Sequence, residues 1–260
     1  MSTSTIPAWQ GDYWYLLKNL ILKDFKVRYR NMSLGVLWSV GNPLVIMGVL
    51  TFVFTVLLPT DQERFPVFLL AGLVPFNFFS LGWSIGTTSV ADNAHLVKRV
   101  NFPREIVPVS AVLANCVHFA IQIGLLLTIA AISRVRVTPL WLYVPLLAVL
   151  EVVFVTGLAM MTSAVNVYVR DTRYVVESAA AVMFWLVPVV YPFDRIQPAF
   201  KPFVHYNPIA AVIMGYRNVL LEGHAPAASI LWKLVVVSAL SIAAGTLVFH
   251  RMKHHFFDHL

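Results

Sequence analysis

The chain has 260 residues, of which 59% are hydrophobic and 12% charged, with a net charge of +7 and a single cysteine. Soluble domains carry roughly 25% charged residues, and a soluble fold of this length could not hide so much apolar surface, so a bilayer has to take it. The positive charge is gathered in short stretches, which argues against a nucleic-acid partner and for membrane orientation; the lone Cys116 excludes a disulfide framework and reads as a small packing residue.

Residues 1–36 form an N-terminal segment containing an amphipathic stretch from Tyr13 to Arg30. Trp14, Leu17, Ile21 and Phe25 share one helical face, while Asn19, Lys23, Lys26 and Arg30 line another. That pattern predicts a helix lying in the headgroup layer, apolar side down, with its cations toward anionic lipid. It serves either as a topology anchor or, on the sharper reading, as the border of a substrate path in which Lys23, Lys26, Arg28 and Arg30 attract an anionic head.

Six apolar segments follow, at about 37–58, 65–91, 106–133, 139–165, 176–193 and 227–249, ahead of a short tail at 250–260. The first is uncharged and, at 1.5 Å per residue, reaches about 33 Å, enough to cross a bilayer core. It is longer than the apolar core of a signal peptide, and no small-residue cleavage site follows it. The fourth carries one acid, Glu151, and the fifth is short and broken by Pro188. Six spans place both termini on one side, which holds twelve Lys and Arg residues against six on the other. The excess predicts cytoplasmic termini.

Two loops on the basic side are short and mixed in charge. In the first, 92–105, Asp92 or Asn93 caps a short helix, Lys98 and Arg99 suit its last turn, and Pro103 ends it. The second places Arg170, Asp171 and Arg173 just inside the membrane. Neither is large enough to be a catalytic domain, and both are suited to docking a cytoplasmic partner. On the opposite side, 194–224 contains the apolar stretch Ile209 to Leu221, too short to span and therefore re-entrant or interfacial.

Several residues invite sharper readings. Glu151 should face protein or water, in a pathway or in packing. His118 and Gln122, one turn apart, form a polar stripe or, preferably, an interhelical hydrogen bond. The histidines of the tail have metal-like spacing, but without a rigid frame they read as solvated, and no metal site is assigned. Trp38, Phe79, Trp83, Trp185 and Tyr191 are candidates for a channel lining that offers stacking faces to sugars, with lipid belt and core as the alternative.

Collinear motifs then point to one family. Ser33, Leu34, Gly35, Trp38 and Pro43 form S-x-LG-x-x-W-x-x-x-x-P after a basic, aromatic lead. Val100 to Pro108 reads VNFPREIVP, Tyr168, Arg170 and Asp171 follow the fourth span, and Pro188 to Pro192 closes the fifth. Asn207-Pro208 and Tyr216-Arg217 come next; Val169 departs from the pattern, which commonly has arginine there. In this order the chain resembles the type-2 ABC permeases that export O-antigen, teichoic acid and capsule.

The resemblance implies an all-α, six-span permease that pairs with a copy of itself and with two separate ATP-binding subunits, and moves a lipid-linked polysaccharide, O-antigen first, across the cytoplasmic membrane. It also implies ATPase coupling through His95, Leu96, Lys98, Arg99, Asn101 and Phe102 in the first loop and Arg170, Asp171 and Arg173 in the second. No G-x-x-x-x-G-K-[ST] phosphate loop occurs, so the chain is not expected to be an enzyme or to bind a cofactor itself; ATP and magnesium belong on the partner. A membrane-embedded enzyme would need clustered acids or metal ligands at a span end, and a secondary transporter several charged spans or an inverted repeat. The remaining alternative is a drug, antibiotic or lipid exporter of the same class.

Overall fold

The computed structural model describes residues 11–30, 35–60 and 62–259, and all of its regular structure is helical. Helix is the expected outcome for uncharged runs in lipid, because only within-segment hydrogen bonds satisfy the backbone there. In chain order the helices are α1 (Tyr13–Tyr29), α2 (Trp38–Phe52), α3 (Phe65–Asp92), α4 (Ala94–Arg99), α5 (Ile106–Ile132), α6 (Tyr143–Tyr168), α7 (Thr172–Leu186), α8 (Lys201–Tyr206), α9 (Pro208–Arg217), α10 (Ala228–Met252) and α11 (Phe256–His259). A wider turn, Val53–Leu57, prolongs α2, and a tighter one, Pro139–Leu142, leads into α6. Ser33 and Leu34 of the first motif lie outside the described residues.

Helix α3 is the axis of the bundle, buried along most of its length and packed by α5, α6, α7 and α9. Small residues set its approach to α6: Gly82 lies against Val155, Gly86 against Ala159, and the Thr87 and Thr162 hydroxyls share a 2.7 Å hydrogen bond. Helix α10 closes on the other side of α6. Gly157 and Gly245 bring the two backbones into direct contact, and the Ser238 and Ser241 hydroxyls each donate 2.8 Å bonds to the Leu150 and Phe154 carbonyls.

Five segments are long and apolar enough to cross a bilayer: Trp38–Leu57, Phe65–Asp92, Ile106–Ile132, Pro139–Tyr168 and Ala228–Met252. The expected fifth span departs from this pattern. Helix α7 starts earlier, at Thr172, and its 15 residues end at Leu186, a reach of about 22 Å. Pro188 is the cause, since it forces the preceding Val187 to extended angles (φ −97°, ψ 151°). The chain then runs non-helically through the core, with Val187, Val189 and Val190 buried.

Helix α9 is capped by the Asn207 side chain, which accepts from the Ile209 and Ala210 amides. It buries Ile209 through Ile213 and Tyr216, so it is a half-helix embedded in protein, as the re-entrant reading requires. Its last residue, Arg217, satisfies the non-helical segment, donating to the carbonyls of Val189 (2.7 Å) and Tyr191 (3.3 Å).

Two N- and C-terminal expectations change. Helix α1 is not simply laid on a surface: Leu17 and Leu20 are buried against Ile106, and Arg28 reaches Asn115 nine residues further along α5, so the two helices run side by side. Trp14, assigned to the apolar face, is 75% exposed, because the packed face is set by Leu17 and Leu20. The tail is not solvated throughout either, since Phe256 is completely buried in a cluster with Val97, Phe102 and Phe249.

Candidate translocation groove and coupling face

A cleft of about 560 Å³ opens along one side of the bundle between α2, α3, α5 and α7. Its polar lining consists of Asn42, Asn77, Ser80, Ser84, His118, Gln122 and Glu177, and its aromatic lining of Phe76, Phe184 and Trp185. Apart from Glu177 and the imidazole of His118, these polar side chains are amides and hydroxyls. They arrive by helical spacing: Asn77, Ser80 and Ser84 are at i, i+3 and i+7 on α3, and Asn115, His118 and Gln122 repeat that spacing on α5.

The α5 stripe ties neighbouring helices together. Arg28 Nη1 donates to Asn115 Oδ1 at 2.6 Å, His118 Nδ1 and Ser39 Oγ share a 2.7 Å bond, and His118 Nε2 and Gln122 Nε2 lie 2.9 Å apart. The interhelical hydrogen bond expected at His118 therefore runs to α2, while the same residues also line the cleft. Asn42, Asn77, Ser80, Ser84 and Asn115 were not singled out from sequence; for those on α3 and α5 the signal was the i, i+3, i+7 spacing within otherwise apolar spans.

Of the five channel candidates, Trp185 lines the cleft, and Tyr191 braces it by donating from its hydroxyl to the Trp185 carbonyl at 2.9 Å. Trp38 is half exposed, one turn before Asn42 on the same face of α2. Phe79 is buried, stacked between Trp83 and Phe154 with centroids 5.4 and 6.3 Å away, and neither Phe79 nor Trp83 is in the lining. Glu151 is fully buried inside the bundle with neither carboxylate oxygen hydrogen-bonded to a described residue, so it faces protein rather than lipid.

The four cations assigned to the substrate path differ in their contacts. Lys23 donates to Asn93 at the α3–α4 corner and lies 3.5 Å from Asp24, and Arg28 is drawn into the bundle by Asn115. Burial raises the Asp24 carboxyl above its usual range, against the pull of Lys23. Lys26 and Arg30 are exposed and, together with Lys23, Asn19 and Phe25, line a second cleft.

At the α4 end, the residues assigned to ATPase coupling also separate. His95, Lys98, Arg99 and Asn101 are exposed, whereas Leu96 is half-buried and Phe102 is 5% exposed in the cluster beneath α4. Phe102 thus anchors the loop from below. In the second loop Arg170, Asp171 and Arg173 are exposed, with the Arg173 guanidinium 4.4 Å above the Tyr174 ring. The structure brings both loops together: Asp92, beside α4, shares a cleft of about 330 Å³ with Arg170, Asp171 and Arg173.

Residues 15–221 match the family described as ABC-2 type transporter. Over 249 residues the chain is 29% identical to an O-antigen export system permease protein, RfbA, of Klebsiella pneumoniae, covering 95% of each chain. The RfbA protein of Myxococcus xanthus is also 29% identical over 249 residues, with 94% of this chain and 95% of that one covered. The polysialic acid transport protein KpsM of Escherichia coli is 24% identical over 213 residues, covering 79% of this chain and 81% of its own.

Proposed function

From the premise that this chain belongs to the ABC-2 type transporter family, we propose that it is the membrane-spanning permease subunit of an ATP-driven exporter of lipid-linked polysaccharide, with O-antigen the first candidate cargo. The observation that carries this reading is the open groove, walled by amides and hydroxyls and edged by Phe76, Phe184 and Trp185. Hydroxyl-rich sugars exchange hydrogen bonds with such a wall at little net gain per contact, and aromatic faces add weak stacking. A chain can slide along a surface of that kind without being trapped. A drug exporter would be better served by a predominantly apolar, enclosed pocket, and the O-antigen and polysialic acid relatives favour the glycan.

The groove also supports a homodimer. Amides and hydroxyls left facing lipid are unfavourable, and a second copy applied to α2 and α7 encloses them in a continuous pore. On the cytoplasmic side, His95, Lys98, Arg99, Arg170, Asp171 and Arg173 dock an ATP-binding subunit, one per permease, and Lys26 and Arg30 attract the anionic head of the lipid carrier at the cytoplasmic (inner) membrane surface. Six passes result if α7 and the 187–193 segment together make the fifth, which keeps both termini cytoplasmic as the basic bias requires.

The deciding experiment is export of a labelled lipid-linked glycan by vesicles carrying this chain and its ATP-binding subunit, with Asn77→Leu/Ser84→Leu and Lys26→Gln/Arg30→Gln in parallel. Loss of glycan export in the groove variant, with insertion intact, is expected. Absence of glycan export by the native chain, together with expulsion of a small hydrophobic drug, would overturn the polysaccharide reading.

A further inference from the structure

The last carbonyls of a helix have no partner within it and must find one elsewhere. At the end of α10 two of them are met by side chains from different loops. The Met252 carbonyl accepts from the Tyr168 hydroxyl at 2.7 Å, and the Lys253 carbonyl accepts from Arg104 Nη1 at 2.7 Å. Arg104 follows α4 in the first loop, and Tyr168 opens the second.

The tail that follows is pinned between the same two loops. Lys253 Nζ lies 3.7 Å from Glu105, and the Phe256 ring is completely buried, with its centroid 5.4 Å from Phe249 and 6.2 Å from Tyr168. Phe256 belongs to the same buried cluster as Val97 of α4 and Phe102. His259 adds a ring contact to Tyr168 at 4.5 Å. Neither a topology signal nor a solvated end needs a buried aromatic or hydrogen bonds to both loops.

From its foot at Met252, α10 runs back against α6 with backbones in contact at Gly157 and Gly245 and two serine hydroxyls bonded across. Contact that close leaves no room for sliding by small side-chain adjustments, so the pair moves as one body. We infer that the C-terminal turn, with Phe256 as its key and Arg104 and Tyr168 as its ties, is a strut that transmits movement of the two coupling loops into the α6–α10 pair. Arg104, Tyr168 and Phe256 are positioning residues in this scheme, acting after the ATP-binding subunit has docked; the inference rests on the docking proposed above.

The test uses the full permease co-purified with its ATP-binding subunit in vesicles, comparing Tyr168→Phe, Arg104→Met, their combination, Phe256→Ala and Phe256→Leu. Three quantities are read: retention of the ATP-binding subunit, ATP hydrolysis, and glycan exported per ATP. With the subunit retained and hydrolysis continuing, export per ATP should fall a few-fold in each single hydrogen-bond variant and about tenfold in their combination. Phe256→Ala should resemble the combination, and Phe256→Leu should recover most of the export.

Unchanged export per ATP in all variants overturns the strut, and so does loss of the ATP-binding subunit from them, because a strut acts downstream of docking. If Phe256→Ala is not recovered in the membrane, Tyr168→Phe, which removes a single oxygen, decides. Lys98→Glu/Arg99→Glu separates the two readings. If that change sheds the subunit while the tail variants export normally, docking stands and the strut falls; if it leaves both binding and export normal, the docking reading itself fails.

Discussion

Arg217 shows how one side chain makes an irregular backbone tolerable inside an apolar bundle. It is 6% exposed, donates to the carbonyls of Val189, Tyr191 and, at 3.4 Å, Phe68, and lies 3.5 Å over the Phe68 ring. Gly72 leaves the space this requires, because a Cβ there would fall 2.6 Å from the Val189 carbonyl oxygen. Removing the guanidinium strands the Val189 and Tyr191 carbonyls, which no helix satisfies, and leaving a buried acceptor unsatisfied costs about 1–3 kcal/mol. Arg217→Met should therefore lower the melting temperature of the detergent-solubilised protein and expose 187–192 to protease. Arg217→Lys, which keeps the charge but not the fork, should fall between. A native melting curve for Arg217→Met would remove the clamp role.

At the scale of elements, the α6–α10 pair brings two helix backbones into direct contact. A Cβ at Gly245 would overlap the Gly157 carbonyl, and one at Gly157 would overlap the Ser241 backbone. Overpacking a filled interface typically costs about 1–3 kcal/mol. Gly245→Val should part the helices, reduce thermal stability by that order and abolish export; normal stability would mean the contact is slack. Helix α4 makes a contrasting case, since its underside is anchored by Val97 and Phe102 while His95, Lys98 and Arg99 point out. Lys98→Glu/Arg99→Glu should leave insertion and thermal stability within about 0.5 kcal/mol of native, as exposed substitutions do, yet release the ATP-binding subunit and with it export. Equal loss of stability and transport would instead point to a structural role.

At the scale of the whole molecule, the polar groove and the apolar faces divide the surface. Val182 is 57% exposed on α7, the helix that contributes Glu177, Phe184 and Trp185 to the groove, whereas Leu240 is 63% exposed on α10, outside that lining. In a Cys116→Ser background, Val182→Cys should form an oxidative cross-link between two copies in native membranes, and Leu240→Cys should not. The reverse pattern would place the partner copy on α10 and leave the groove to lipid. Orientation is tested separately by labelling single cysteines at 200 and 258, which should react from opposite sides. Labelling from one side would contradict an external α8–α9 segment with a cytoplasmic tail.

Composition and apolar run length were sufficient to make this an all-helical membrane protein, because a backbone in lipid has few other ways to satisfy its hydrogen bonds. Local chemistry was equally direct: Pro188 stops α7, and Pro103 separates α4 from α5. Collinear motifs such as Tyr168, Arg170 and Asp171 marked the family. Which face each helix turns inward could not be read the same way. In spans where nearly every residue is apolar, periodicity carries little contrast, so Phe79 went to the core and Trp185 to the groove for reasons of packing alone. The burial of Phe256, the reach of Arg28 to Asn115 and the grip of Arg217 on Val189 join residues distant in sequence, and only the tertiary arrangement brought them together.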